Sequence, residues 1–371
     1  MDNNTNPPKI MDVLESHRGE KHIIVLQDFP DPDGISSALA HQIISAAFDI
    51  RCDIVYAGKI SHQQNVALVK LLGIDLIRFD SSIDWKQYSG AVYLDNQGTT
   101  AEEIVSRLEE AGVPALIVVD HHEQQHRLEP ACYDIRRTFG ATATIYAEYL
   151  ESGMVQLDKS RKEHVMVATA LTHGILTDTN GLIRARPEDF HAAAFLSNYR
   201  DPDLLEQIMN QARSKKTLTV IQKALQDKVT VESFSIAGVG YIRAEDRDAI
   251  PQTADFLVTE ENIHTAVVYG IMTGPDMQEA IIGSLRTTKL TLDPDEFIKE
   301  VFGKDSVGNY YGGGKISAGG FRIGVGFLSG GEDSEYQERK WRVFHEQIKQ
   351  KLFAKIGMDS IPQRCPEKAA A

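Results

Sequence analysis

Cysteine is scarce: three in 371 residues, Cys52, Cys132 and Cys365, far apart and odd in number. That excludes a disulfide framework and a Cys-x-x-Cys zinc site, and it fits a reducing cytoplasmic compartment. Long apolar runs are absent as well; none approaches the ~18–20 residues that a membrane-crossing helix needs. The opening MDNNTNPPKI has neither the basic cluster nor the apolar stretch of a secretory signal, and reads as a short frayed lead-in. Basic charge is in deficit: 39 Lys and Arg face 53 Asp and Glu, a formal net charge of −14. Such a surface repels a long nucleic-acid duplex, whose binding needs many phosphates neutralised by cations. A small phosphorylated ligand stays open, because bound divalent cations reverse the sign locally.

What is present suits two domains with packed cores: 371 residues, 42% of them hydrophobic and 25% charged. In the first half, short apolar runs alternate with amphipathic stretches. The strand candidates are HIIVLQ ending at Gln27, DIVYAG around Ile54–Tyr56, DLIRF at Asp75–Phe79, AVYL at Ala91–Leu94 and ALIVV at Ala115–Val119. Helix-like stretches fall at Gly34–Phe48, His62–Leu72 and Thr100–Ala111, then from Thr138 to Asn180 and from Pro187 to Lys228. This order predicts an α/β domain, a parallel sheet with helices on both faces. From Val229 the pattern changes to a smaller α+β domain with a mixed sheet, built on VTVESFSIAGVGYI, His264–Tyr269, Glu279–Arg286 and FRIGVGFL. Helices are expected there near Ile250–Glu260 and over Pro294–Phe302. The expected boundaries are 1–200 for the first domain, 201–228 for a helical linker, 229–331 for the second domain and 332–371 for an amphipathic helix and tail. In that tail Trp341, Phe344, Ile348, Leu352 and Ile356 recur at helical spacing, which reads as core or subunit packing.

Three strands of the first domain run straight into acidic or imidazole groups. QDFPDPDGISS carries Asp31 and Asp33, YLDNQ carries Asp95, and VVDHHE carries Asp120, His121 and His122. In an open parallel sheet the C-terminal strand ends share one edge, so groups distant in sequence converge. Carboxylates crowded together raise one another's pKa, and bound cations remove that repulsion. Oxygen ligands with one or two imidazoles suit Mn²⁺ or Mg²⁺, and several carboxylates allow a pair of ions ~3.5–4 Å apart. ALTHGILTDTNGL adds Asp178, projecting where a helix ends near Leu176. Blander roles exist for each residue. Asp28 and Asp95-Asn96 are good turn residues, His173 suits a half-buried helix position, and His126 and His164 suit solvent.

With QDFPDPDGISS, YLDN, VVDHHE and GILTDTN in that order, the chain resembles the DHH phosphoesterase superfamily. IIGSLRTTKLTLDPDEFIKEVFGKD followed by NYYGGGKISAGGFRIG is similar to the DHH-associated domain, so the resemblance spans roughly residues 20–330. It implies that Asp31, Asp33, Asp95, His121 and Asp178 ligate two divalent ions, with Asp95 bridging them. It further implies that His122 faces the scissile phosphate, that Asp120 orients the histidine pair, and that Arg286 with Gly312, Gly313 and Gly314 holds the rest of the substrate. Consecutive glycines reach positive φ and let backbone N–H groups approach an anion, although a tight turn explains them too. Two positions depart from the pattern. Gln27 stands where the family has His, a weaker metal ligand, and Lys315 replaces the His that follows the three glycines. The implied activity is hydrolysis of short oligonucleotides (nanoRNA, linear or cyclic dinucleotides) or 3′-phosphoadenosine 5′-phosphate by a hydroxide shared between two Mn²⁺ ions, or Mg²⁺. The rivals are an inorganic pyrophosphatase or exopolyphosphatase and a non-catalytic nucleotide sensor. No membrane and no long duplex is expected as partner, and a homodimer through the tail helix or the first domain stays open.

Overall fold

The computed structural model describes residues 8–60, 62–274, 278–315, 317–331 and 333–357; Cys365 and most of the lead-in lie outside them. The chain divides into two compact units, Met1–Ala212 and Arg213–Ala371.

The first unit runs α1 (Pro8–Ser16), β1 (Lys21–Val25), α2 (Pro32–Ala46), β2 (Arg51–Tyr56), α3 (Gln63–Leu72), β3 (Leu76–Arg78), β4 (Gly90–Leu94), α4 (Glu102–Ala111), β5 (Ala115–Asp120), β6 (Cys132–Ile135), α5 (Thr142–Glu151), α6 (Lys162–Asp178), α7 (Pro187–Ser197) and α8 (Pro202–Met209). Its six strands form one sheet in the order β3-β2-β1-β4-β5-β6, and every pair is parallel. Successive β1 residues serve opposite faces, as strand alternation requires. Ile24 and Leu26 join the core under α2, α5 and α6, whereas Ile23 and Val25 join the core under α4. The sheet is therefore covered on both sides, as the near-continuous apolar strands predict.

β1 borders both β2 and β4, so the chain departs from it in two directions and leaves a crevice at the C-terminal ends of β1 and β4. The sequence between β1 and α2 is made for that place. Asp31 caps α2 by accepting from Gly34 N at 3.0 Å, and Pro32 opens the helix with no N–H to lose.

Several expectations need correcting. The lead-in is helical from Pro8, and Ile10 and Leu14 of α1 are buried in the first core. β6 escaped the sequence reading because a four-residue edge strand is too short to carry a clear periodicity. The stretch 201–228 is two helices: α8 packs with α3 and α6 in the first unit, and α9 (Lys215–Asp227) belongs to the second.

The second unit continues with β7 (Val229–Val231), β8 (Phe234–Arg243), α10 (Ala249–Leu257), β9 (Thr265–Thr273), β10 (Glu279–Thr287), α11 (Pro294–Phe302), β11 (Gly312–Lys315), β12 (Ala318–Gly324) and α12 (Ser334–Lys355). Its sheet, β11-β12-β10-β9-β8-β7, is mixed: β8 and β9 are parallel and the remaining pairs antiparallel. α9 and α10 cover one face, while α11 and α12 cover the other. The tail's apolar stripe is used here: Ile348 and Leu352 are buried, with Trp341, Phe344 and Ile356 packed beside them.

Candidate metal centre

The C-terminal strand ends bring the acidic and imidazole groups into one cluster. His121 Nε2 lies 3.4 Å from Asp178 Oδ2, 3.7 Å from Asp95 Oδ1 and 3.9 Å from Asp33 Oδ2. His122 Nδ1 lies 2.8 Å from Asp120 Oδ1 and 3.6 Å from Asp95 Oδ1. Two overlapping sets, Asp33–His121–Asp178 and Asp95–Asp120–His121–His122, each keep their ligating atoms within 4.8 Å of one another. Asp178 reaches the cluster because α6 approaches α2 closely at Gly174, where a Cβ would fall 2.4 Å from Ser36 Oγ. The helix runs through Asp178 itself, two residues beyond the expected end.

Each carboxylate is held by specific donors. Asp33 is fully buried and accepts from the backbone N–H groups of Thr142 and Ala143, both at 2.7 Å. The Thr142 hydroxyl donates to Asp95 Oδ1 at 3.2 Å. Asp120 Oδ2 accepts from Gln97 Nε2 at 2.8 Å, and its Oδ1 accepts from His122 N at 3.0 Å. The residues that sequence reasoning missed are Thr142, Ala143 and Gln97. Two of them act at Asp33 through backbone amides, which leave no residue-type signature. Gln97 sits in YLDNQ and could have been singled out.

The donor set fits a divalent cation better than it fits protons alone. Among the described residues, Asp95 Oδ2 and His121 Nε2 are buried without a hydrogen-bond partner, and both belong to the cluster. Burial first, and the neighbouring Asp178 second, push the Asp31 carboxyl up to about 6. Asp33 and Asp95 are pushed well above the usual carboxylate range, by burial and then by the acids around them. Burial opposes the charge on His121, but Asp178 and Asp33 outweigh it and push the imidazole up to about 9. Such a site takes up protons unless cations replace them.

Asp31 stands at the edge of this group. Its two oxygens accept from Gly34 N and from Gln27 Nε2, each at 3.0 Å. Turning the Gln27 amide over would set its carbonyl against that carboxylate, so Gln27 is held as a donor to Asp31. The metal-ligand role expected of Gln27 would run through the other end of the amide, its Oε1.

Residues 22–175 match the family model described as DHH family, N-terminal domain. The chain is 32% identical over 350 residues to an uncharacterized protein of Methanocaldococcus jannaschii, an alignment covering 93% of this chain and 66% of that protein. The chain carries a DHH-family N-terminal domain over residues 22–175. It thus spans just under two thirds of the length of that curated relative. Its fold is similar to an exopolyphosphatase-related protein from Bacteroides fragilis, with a TM-score of 0.65 and 16% identity over 93% of this chain and 96% of the other. A putative family II inorganic pyrophosphatase from Methanococcus jannaschii aligns at 16% identity over 86% of this chain and 99% of that one, with a TM-score of 0.43.

Other residues singled out by the sequence fall outside the cluster. His126 is exposed, as expected, but His164 is buried and accepts from Asp158 N at 2.9 Å, which corrects its solvated reading. His173 is more deeply buried than expected, at 1% exposure, and burial lowers its imidazole to about 4. Asp28 accompanies neither set; its N–H pairs with Thr100 O. In the second unit Arg286 lies on β10, its Nε donating to Asp255 at 2.6 Å and its Nη1 to Ser284 Oγ at 2.7 Å. Gly312–Lys315 are the strand β11 rather than a loop, and none of the three glycines has positive φ. They are required by close approach: a Cβ on Gly312 would fall 2.2 Å from Gly320 O, and one on Gly313 2.6 Å from Asp295 Oδ1. Gly314 N donates to the Asp295 carboxylate at 3.0 Å, so the anion this glycine meets is internal.

Proposed function

We propose that this chain is a metal-dependent phosphoesterase of the cytoplasm that hydrolyses short oligonucleotides, dinucleotides or 3′-phosphoadenosine 5′-phosphate. The observation that carries the reading is the meeting of Asp33, Asp95, His121 and Asp178 around buried atoms left without partners. These four residues, with Asp31, would hold two Mn²⁺ or Mg²⁺ ions. When bound, such ions supply an activated water and neutralise charge on the phosphoryl oxygens.

The chain's own groups do the rest. Asp120 accepts the Nδ1 proton of His122, which fixes the ring; Nε2 is then an acceptor on the neutral ring and donates to a phosphoryl oxygen only on the imidazolium. Gln97 holds Asp120 in turn, so the imidazole is oriented at two removes. Within the second unit, Arg286 and Lys315 are the cations proposed to bind phosphate, and Arg286 is aligned by Asp255 and Ser284. The net charge of −14 supports a ligand short enough to be held by local cations alone.

The test is hydrolysis, in Mn²⁺ or Mg²⁺, of a panel of labelled dinucleotides and short RNAs, cyclic di-AMP, 3′-phosphoadenosine 5′-phosphate, pyrophosphate and polyphosphate. Turnover confined to nucleotides, and abolished by Asp95→Ala in a variant that still folds, is the expected result. Cleavage of inorganic chains alone would move the chain to the pyrophosphatase or exopolyphosphatase reading. Nucleotide binding with no turnover would make it a sensor.

A further inference from the structure

One segment without a proposed metal ligand touches three of them. Between β6 and α5, the carbonyl of Phe139 lies 3.3 Å from His121 Nδ1. The N–H groups of Thr142 and Ala143 hold both oxygens of Asp33, and the Thr142 hydroxyl reaches Asp95. The spacing of the centre therefore depends on where this segment sits, and its place is set from α7.

Asp189, on α7, is fully buried, and among the described residues no ion pair reaches it. Its carboxylate accepts from Gly140 N at 3.0 and 3.1 Å, from the Thr144 hydroxyl at 2.6 Å and from Arg186 N at 2.7 Å. The Arg186 bond belongs to the capping of α7 itself. The Gly140 and Thr144 bonds do not; they tie a second stretch of chain to that helix. Gly140 is clamped so closely that a Cβ would fall 2.3 Å from Asp189 Oδ2 and 2.7 Å from Thr179 Cγ2. Thr179 follows Asp178 directly, so the same clamp adjoins the fourth proposed ligand. Asp189 sits in the first turn of α7 and binds the chain at the start of α5, so both helix N-termini favour its negative charge. A carboxylate accepting only from N–H and O–H donors is strongly directional.

We infer that Asp189 is a positioning residue for the metal centre, fixing residues 139–144 so that Asp33, Asp95 and His121 keep their ligating geometry. An amide in its place has one oxygen fewer, and its NH₂ must face Gly140 N–H, Thr144 or Arg186 N–H, whichever way it turns. The segment then relaxes, and the donors of Asp33 move with it.

This inference rests on the proposed metal centre, and its test separates the two. Mn²⁺ binding is titrated by electron paramagnetic resonance on the full chain and on Asp189→Asn, below the melting temperature of each. The expected result is a dissociation constant raised about 10–100-fold, the usual effect of removing a support behind metal ligands. Excess Mn²⁺ restores occupancy. As a control, Glu279→Gln breaks the buried Glu279–Lys340 pair of the second unit and should lower the melting temperature without changing Mn²⁺ affinity. If Asp189→Asn does not fold, Thr144→Val decides, since it removes one donor to Asp189 with little change of shape; a several-fold weaker affinity is expected. A folded variant that binds Mn²⁺ within twofold of the parent overturns the inference. Failure of the unaltered chain to bind Mn²⁺ overturns the metal centre itself.

Discussion

Asp95 follows β4 directly with φ at 55°, in the left-handed region that an L-residue enters at a cost. Aspartate bears that conformation better than most side chains, and here it turns a buried carboxylate toward His121. Backbone strain and an unpartnered buried oxygen on one residue are what a binding site tolerates and a purely structural turn does not. His173 is a buried imidazole that belongs to neither ligand set. Its folded pKa is about 4 because burial disfavours the charge, while the unfolded chain titrates near 6.5. As pH falls below 6.5 the unfolded state takes up a proton that the folded state refuses, so stability is lost from there down to about 4. The loss is on the order of 3 kcal/mol at the lower limit. Denaturant titrations across that window should show a shallower acid decline for His173→Leu than for the parent. Parallel declines would mean that His173 is not buried as a neutral ring.

At the scale of elements, the strands that carry the centre were legible because a parallel sheet buried on both faces needs apolar runs, and its loops leave from one edge. The register of β1, β2 and β4 follows from those runs. β7 and β8 were read as one strand because nothing in VTVESFSIAGVGYI advertises a turn. The turn is Glu232-Ser233, both at positive φ, 46° and 68°. A two-residue connection of that kind favours Asn-Gly. Replacing Glu232-Ser233 by Asn-Gly should stabilise the second unit by about 1 kcal/mol, measured by denaturant unfolding. A destabilised variant would mean that the two side chains contribute contacts that outweigh the turn. The glycines of β11 were misread for a related reason. Close approach and positive φ both demand glycine, and only coordinates distinguish a strand crowded by Gly320 O from a loop open to an anion.

At the scale of the molecule, each unit has its own sheet, covered on both faces, and its own core. No helix among the described residues is long and apolar enough to cross a membrane. The residues proposed as ligands are readable in the sequence because carboxylates and imidazoles at the ends of elements have few other uses in combination. What orders them was not readable: the Thr142 and Ala143 amides and the clamp on Gly140 are backbone groups, and Asp189 looks like any first-turn acid. The most direct test of the account is a crystal grown with Mn²⁺ and measured at the manganese absorption edge. The account predicts anomalous density among Asp33, Asp95, His121 and Asp178, and its loss in Asp95→Ala. A well-ordered cluster with no anomalous density at saturating Mn²⁺ would contradict it.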